Sequence, residues 1–378
     1  MDKIRFALDL TWVRHKIVGG TESFVNNLIQ GFVDTDKDYE MALITARDNA
    51  YLFDGYTHDS RIKSITAPIE SKSVARRIVW QNLHLSSFLL NNGLSLCVEP
   101  VYAKPILGSR KIKWITVIHD LEALHFPENH SWMTNLWLRL SWLNSAKTSH
   151  HVICISDFVK NDIIVRYGLP GSRITTVYDP IQIDIENRCQ FSDVSEKYGI
   201  RDKDYYYTVS KLNPHKNLTT LVKVFGEIKK RGINDLPCKL LISGVNGGMI
   251  DELQKVAGQY GLKDELVLTG FVDNEVRNCL YAHAKTFLFP SIFEGFGMPP
   301  IEAICCNTPV LTTRCACIPE ITQHIANYVD NPYSVDDWII AMRDIKNNNE
   351  RFDMQMYLPA NIANEYLRII KDTIENVS

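Results

Sequence analysis

Short apolar runs alternate with segments of helical spacing along nearly the whole chain. Ile4–Leu8 reads as a strand, and a Gly-Gly turn leads from it into a helix over Glu22–Phe32. Tyr39–Thr45, Leu94–Glu99, Trp114–His119 and His151–Ile155 are further strand-length runs. Between them, Ser73–Asn91 and Trp132–Ser145 repeat apolar residues at helical spacing. The alternation then restarts. Strands are expected at Tyr205–Val209, Cys238–Ser243, Leu266–Thr269, Thr286–Phe289 and Pro309–Thr312, and helices at Leu218–Arg231, Ile250–Tyr260, Val276–Ala284 and Pro300–Cys305. Strands separated by helices in this way predict parallel sheets covered on both faces, an α/β class. The polar stretch Asp179–Tyr198 contains Pro180, lacks periodicity and separates the two series, giving domains 1–180 and 181–358. Pro359–Asn376 closes the chain as a long amphipathic helix. Two doubly wound domains facing one another leave a cleft between the carboxyl ends of their strands, where open α/β sheets bind ligands.

Composition changes this picture little. A chain of 378 residues with 45% apolar and 22% charged residues suits two ordinary domains. The net charge of −3 supplies no field that would draw it to nucleic acid. Residues 1–180 hold 20 Lys+Arg against 18 Asp+Glu and 8 of the 11 histidines, whereas 181–378 hold 21 against 26. The first half is therefore the one better suited to an anionic surface or substrate. Nine cysteines and a charged start (Asp2, Lys3, Arg5) without a signal-peptide pattern read as a reduced, cytoplasmic protein. Cys305-Cys306 and Cys315-Ala316-Cys317 lack paired CxxC spacing and read as buried thiols rather than metal ligands. No apolar run reaches the roughly 18–20 residues of a spanning helix, so contact with a membrane would be at its surface.

Five segments carry candidate chemistry. The strand Thr286–Phe289 runs into a loop with two glycines, and Pro299-Pro300 then opens a helix. A glycine loop feeding a helix start offers backbone N–H groups and a positive dipole end to a diphosphate. Glu294 in the loop and Glu302 in the helix are eight residues apart and can reach different parts of one extended ligand; they read equally as solvated carboxylates. Lys211 and Lys216 follow the strand Tyr205–Val209 and could clamp a pyrophosphate or simply be solvated. Gly19-Gly20 could let the backbone approach a phosphate or form a plain turn. Gly244–Gly248 has the form GxxGG, which poorly supports a dinucleotide cofactor. His119-Asp120 ends a strand, where the histidine either meets a sugar hydroxyl or is structural; His150-His151 reads as structural. Finally, Ser73–Asn91 (Arg76, Arg77, Trp80) and Trp132–Ser145 (Trp132, Trp137, Arg139) are either core-facing helices or basic, tryptophan-bearing faces for a bilayer surface.

The run Phe289-Pro290-Ser291-x-x-Glu294-Gly295-Phe296-Gly297-Met298-Pro299-Pro300-Ile301-Glu302-Ala303 resembles the signature of the retaining GT-B glycosyltransferases called group 1 or family 4. Gly19-Gly20, His119-Asp120, Ile155–Phe158, Lys211/Lys216 and Thr269–Val272 stand in the family's order, so the likeness covers most of the chain. It implies two Rossmann-like domains, an acceptor-binding 1–180 and a nucleotide-sugar-binding 181–358, with a C-terminal helix, 359–378, packing back on the first. By position it implies that Lys216 and Lys211 bind the donor diphosphate together with Gly20. It further implies that Glu294, with the amides of Gly295, Phe296, Gly297 and Met298, holds sugar and phosphate, that Glu302 accepts ribose hydroxyls, and that Gly270, Phe271 and Val272 lie beside the base. His119 would meet the donor sugar, making His119, Glu294 and Lys216 the catalytic group. Lys211 stands where the family usually has arginine, and Tyr178-Asp179-Pro180 where it usually has Asn-Gly. The implied reaction is front-face substitution without metal or cofactor, and no Asp-x-Asp metal motif lies in a plausible loop. The block and the segment His119–Glu128 look like those of polysaccharide mannosyltransferases. The expectation is therefore transfer of mannose from GDP-mannose to a lipid-linked glycan in O-antigen or capsule assembly, on the inner face of the membrane. The alternatives are a UDP-sugar donor, a non-hydrolysing nucleotide-sugar epimerase and a non-catalytic nucleotide-sugar-binding partner.

Overall fold

The computed structural model describes residues 3–15, 19–244, 249–346 and 351–375, in two compact units. Unit 1 is Met1–Gln182 with Met354–Ser378, and unit 2 is Ile183–Asp353. Residues 245–248 of the Gly244–Gly248 segment lie outside the described residues.

Unit 1 is built on a parallel sheet of β1 (Ile4–Asp9), β2 (Tyr39–Thr45), β3 (Ile62–Thr66), β4 (Leu96–Glu99), β5 (Lys113–Ile118), β6 (His151–Cys154) and β7 (Ile174–Thr176). The spatial order is β3-β2-β1-β4-β5-β6-β7, so the winding reverses between β1 and β4. The central strands are buried on both faces, as their unbroken apolar runs require. The helix Gly20–Asp34 turns Phe24, Val25, Leu28, Ile29 and Phe32 to the core and receives the C-terminal helix Pro359–Glu375. Gly31 permits that approach: a Cβ there would lie 2.1 Å from the Pro359 carbonyl oxygen. Thr35 Oγ1 donates to Asn364 Oδ1 at 2.6 Å, and Lys113 Nζ caps the Thr373 and Ile374 carbonyls.

Unit 2 repeats the plan with β8 (Tyr206–Val209), β9 (Leu240–Ser243), β10 (Leu266–Gly270), β11 (Thr286–Phe289), β12 (Val310–Thr313) and β13 (Asn327–Val329), ordered β10-β9-β8-β11-β12-β13. All pairs are parallel, and the winding reverses between β8 and β11. The α/β class and the doubly wound halves are as expected.

Several local expectations need correction. Asp179–Tyr198 is not irregular throughout, because Phe191–Tyr198 is a helix of unit 2 that buries Val194 and ends at Gly199 with φ +59°. One turn of buried surface was too little to register as periodicity. Ser73–Asn91 is helical but interrupted: Val74–Trp80 and Ser86–Asn91 flank a π-turn at Gln81–Leu85. The divisions fall at 182/183 and 353/354 rather than 180/181 and 358/359. The turn Met354–Tyr357 joins unit 1 because the Ile181 N–H donates to the Tyr357 carbonyl at 2.8 Å and the Tyr178 and Tyr357 rings meet.

The helix Trp132–Thr148 faces the core only in its C-terminal half. It buries Ser141, Trp142, Ser145 and Ala146, yet leaves Trp132 73%, Met133 62%, Leu136 50% and Leu140 53% exposed. Its N-terminal apolar stripe is on the outside, opposite to an ordinary core helix. Among the described residues no helix is long and apolar enough to cross a membrane.

Candidate active site

In unit 2 the two loops that the sequence singled out leave the sheet side by side, at the carboxyl ends of β8 and β11, where the winding reverses. Backbone and side-chain bonds tie them together. The His215 carbonyl accepts from the Ile292 N–H at 2.9 Å and from Ser291 Oγ, and Asn217 Nδ2 donates to the Pro290 and Pro332 carbonyls. Asn217 sits at φ +53°, a conformation asparagine tolerates better than most residues, and starts the helix Leu218–Lys230. Gly244, after β9, must be glycine for a steric reason, since a Cβ would meet the Ser210 carbonyl oxygen at 1.8 Å.

Lys216 Nζ donates to both oxygens of Glu294 at 2.8 Å. The side chains are 17% and 10% exposed, so this is a largely desolvated, charge-assisted pair. Residues expected to grip different parts of a ligand grip each other here. An anionic ligand would have to share or replace Glu294 on Lys216. Lys211 is exposed, yet its ammonium lies below the usual lysine range, through desolvation first and the charge of Lys216 second.

The Glu294 loop is held from beneath by Cys317, whose thiol lies 3.2 Å from the Glu294 carbonyl and 3.0 Å from that of Phe296. Burial pushes this thiol far above its usual range, with Glu294 adding to the effect, so it stays protonated and donates. Phe296 is buried as an anchor, and Gly297, at φ +91°, turns the chain into the helix Met298–Cys305. That helix start is poorer in donors than expected: Pro299 and Pro300 carry no N–H, leaving Met298 as the donor of the first three positions. Met298 and the dipole remain.

Glu302 lies one turn into the helix and is also held. Tyr281 Oη donates to its Oε2 at 3.0 Å, and Arg277 Nη2 is 3.4 Å from its Oε1. Tyr281 stacks edge-on against Tyr207, whose hydroxyl donates to Ser243 Oγ, in turn 2.7 Å from Thr269 Oγ1. Thr269 leads to Gly270 (φ +70°), to exposed Phe271 and to Val272, so hydrogen bonds and one ring contact connect Glu302 to the Gly270–Val272 edge. Arg277 and Tyr281 escape sequence reasoning, although they stand at i, i+4 on the helix Asn274–His283, a usable signal. Cys317 reads from sequence as a buried thiol, and nothing local ties it to the Glu294 loop.

In unit 1, His119 follows β5 and is buried between the Phe24 edge and the Tyr102 ring. Its Nε2 is 2.8 Å from the Pro100 carbonyl, which can only accept, so Nε2 carries the proton and Nδ1 is left with a lone pair. Burial lowers its pKa despite the Pro100 bond and Asp120, so the ring is neutral near pH 7 and can accept from a hydroxyl. Gly19 (φ +66°) precedes the first helix, and the space a Cβ of Gly20 would enter is open. His151 bonds Thr175 as a structural histidine, and burial lowers it to about 4. Among the described residues no group of His, Cys, Asp and Glu is placed to hold a metal ion, and Cys305, Cys306, Cys315 and Cys317 form no disulfide.

Comparison with known proteins extends this geometry. Residues 190–361 match the family model for glycosyl transferases group 1, and 18–185 that for glycosyltransferase family 4. The chain is 28% identical over 289 residues to the O-antigen chain mannosyltransferase RfbU of Salmonella typhimurium, covering 75% of each protein. It is 28% identical over 232 residues to the O-antigen chain mannosyltransferase B of Escherichia coli, covering 61% of this chain and 60% of that relative. Among solved structures, HepE from Anabaena in complex with UDP and glucose superposes with a TM-score of 0.67 at 16% identity, covering 98% of this chain and 96% of that one. Two family models that together account for most of the chain, and a fold shared over nearly all of it, lead to one conclusion: the chain belongs to the group 1/family 4 glycosyltransferases and has the GT-B fold.

Proposed function

We propose that this glycosyltransferase moves mannose from GDP-mannose, with retention and without a metal, to a hydroxyl of a lipid-linked glycan in surface-polysaccharide assembly. The observation that carries the reading is the Lys216–Glu294 pair beside the Gly297–Met298 helix start at the reversal of the unit 2 sheet. A nucleoside diphosphate-sugar would draw Lys216 onto its phosphates, with Lys211 and the Met298 amide, and free Glu294 to accept sugar hydroxyls. Lysine and amide donors neutralise the charge that develops on the departing diphosphate, which is where catalysis of this reaction has most to gain. The departing phosphate can take the acceptor's proton, so Glu294 positions rather than attacks. Glu302 accepts the ribose hydroxyls, the Gly270–Val272 edge lies along the base, Gly20 approaches the donor phosphates, and neutral His119 accepts from a sugar hydroxyl. The mannosyl and O-antigen assignments take their support from the names of the two relatives.

The exposed stripe Trp132–Leu140 supports a further part of the reading: unit 1 rests on a membrane surface through this helix, where a lipid-linked acceptor is presented. Flotation with anionic vesicles should carry the wild type and not Trp132→Ser/Leu136→Ser; equal flotation of both removes this contact. The donor is tested by incubating the full chain with GDP-mannose or UDP-sugars and a lipid-linked acceptor. Transfer of α-mannose from GDP-mannose, unaffected by EDTA, is expected. Transfer from UDP-sugars alone overturns the donor assignment, an inverted linkage overturns retention, and an altered sugar formed without acceptor identifies an epimerase.

A further inference from the structure

The reversal of winding in unit 1 holds a second constellation, which the reaction above leaves unused. β1 ends in Asp9 and β4 in Glu99, both buried and adjacent across the reversal. Asp9 is already satisfied by neutral donors: the Thr11 N–H at 2.9 Å to Oδ1, and Gln81 Nε2 at 2.7 Å to Oδ2. Gln81 also reaches Thr11 Oγ1, which pins the helical segment that carries it over the end of β1. One helical turn earlier on the same face is Arg77, and five residues beyond Asp9 in the other direction is Arg14. Both guanidiniums are partly buried, and each has a buried Nε without a hydrogen-bond partner. Among the described residues neither forms an ion pair, although surface arginines elsewhere, such as Arg61, Arg166 and Arg343, do.

Two arginines held near a carboxylate pair without bonding it leave donors that no described residue of unit 1 uses. Glu99 does not cancel their charge. Burial first, and Asp9 second, push its carboxyl well above the usual range, so the acid pair offers at most one negative charge to two guanidiniums. Burial lowers the Arg77 guanidinium, Asp9 and Glu99 oppose that, and the nearby charge of Arg14 lowers it again. A buried donor without a partner is unfavourable, and an oxyanion would relieve that cost.

We infer that Arg14 and Arg77 form a phosphoryl-binding site at the carboxyl ends of β1 and β4, and that it receives the phosphorylated end of the acceptor. A phosphoryl group fits because two planar forks with excess positive charge match its several oxygens. Reversal points of open α/β sheets are where such ligands settle. The assignment to the acceptor rests on the proposed transferase reading; the anion site itself does not.

The test uses the full chain and inorganic pyrophosphate, followed by calorimetric titration. Lys211→Ala/Lys216→Ala removes the lysines of unit 2, and residual pyrophosphate binding is expected in that background. Adding Arg77→Gln or Arg14→Gln should weaken it at least tenfold, with Arg77→Lys intermediate, while the unfolding midpoint stays at that of the lysine-free background. No residual binding, or affinity equal with and without the arginines, overturns the site. In the transfer assay the arginine variants should raise KM for a diphosphate-linked acceptor and leave KM for the donor unchanged. If pyrophosphate binding behaves as expected but only the donor KM moves, the site holds donor phosphate and the acceptor assignment falls. If binding is as expected and no transfer occurs with any donor, the transferase reading fails and the anion site stands.

Discussion

Replacing Lys216 with methionine should leave Glu294 as a desolvated charge without its cation. Both Glu294 oxygens receive bonds of 2.8 Å from one ammonium, and the two side chains keep 17% and 10% of their surface in solvent. Removing one partner of a pair buried to this degree costs about 3–5 kcal/mol. Glu294→Gln should cost less, about 1–2 kcal/mol, because the lysine tip is the wetter partner and has a flexible stem. The double variant loses attraction and desolvation penalty together and should come within about 2 kcal/mol of the wild type. The resulting coupling, at least about 2 kcal/mol, is read from a double-mutant cycle of urea unfolding. Additivity of the two single variants within about 0.5 kcal/mol would refute this account of the pair.

Three other outcomes follow from particular contacts. Tyr281→Phe removes the hydroxyl that donates to Glu302 and should weaken GDP binding about tenfold or more, since a bond to a charged group contributes about 1.5–3 kcal/mol; unchanged affinity by titration would separate Glu302 from the nucleoside. Glu99→Gln replaces a carboxyl that burial keeps protonated. A raised carboxyl pKa makes folding take up a proton above the unfolded value, so the variant should gain stability over the wild type as pH rises from about 4.3, by at most about 1.4 kcal/mol per pH unit. A difference flat from about pH 5 to about pH 8 contradicts it. Gly31→Ala forces a Cβ against the Pro359 backbone and should destabilise by about 1–3 kcal/mol. It should also speed tryptic cleavage after Arg368 and Lys371; wild-type cleavage rates would show that the helix contact yields freely.

The strands missed along the chain are instructive. Ile62–Thr66, Ile174–Thr176 and Asn327–Val329 are β3, β7 and β13, each at the edge of its sheet. An edge strand has a single neighbour and needs only partial burial, so Lys63, Ser64, Thr175 and Asn327 are tolerated in these three and their apolar runs are broken, whereas the edge strand β10 keeps Leu266-Val267-Leu268 and is legible. The central strands β1, β2, β5, β8, β9 and β11 were legible because burial on both faces leaves almost no place for a polar residue.

The sequence by itself determined the alternation, the two halves, the glycine-rich loops and the residues of the Glu294–Glu302 block, because periodicity and turn chemistry are properties of neighbours in the chain. Only the tertiary structure decided what those residues touch. It set Lys216 on Glu294 across 78 positions, Tyr281 and Arg277 on Glu302, Cys317 beneath the loop, and Arg14 near Arg77 without a partner. It also turned the tryptophan stripe of Trp132–Leu140 outward, although its spacing is as compatible with a core. Spacing states which residues share a face, but which face is buried depends on neighbours brought in from distant parts of the chain, and a single strand of letters does not contain that distance.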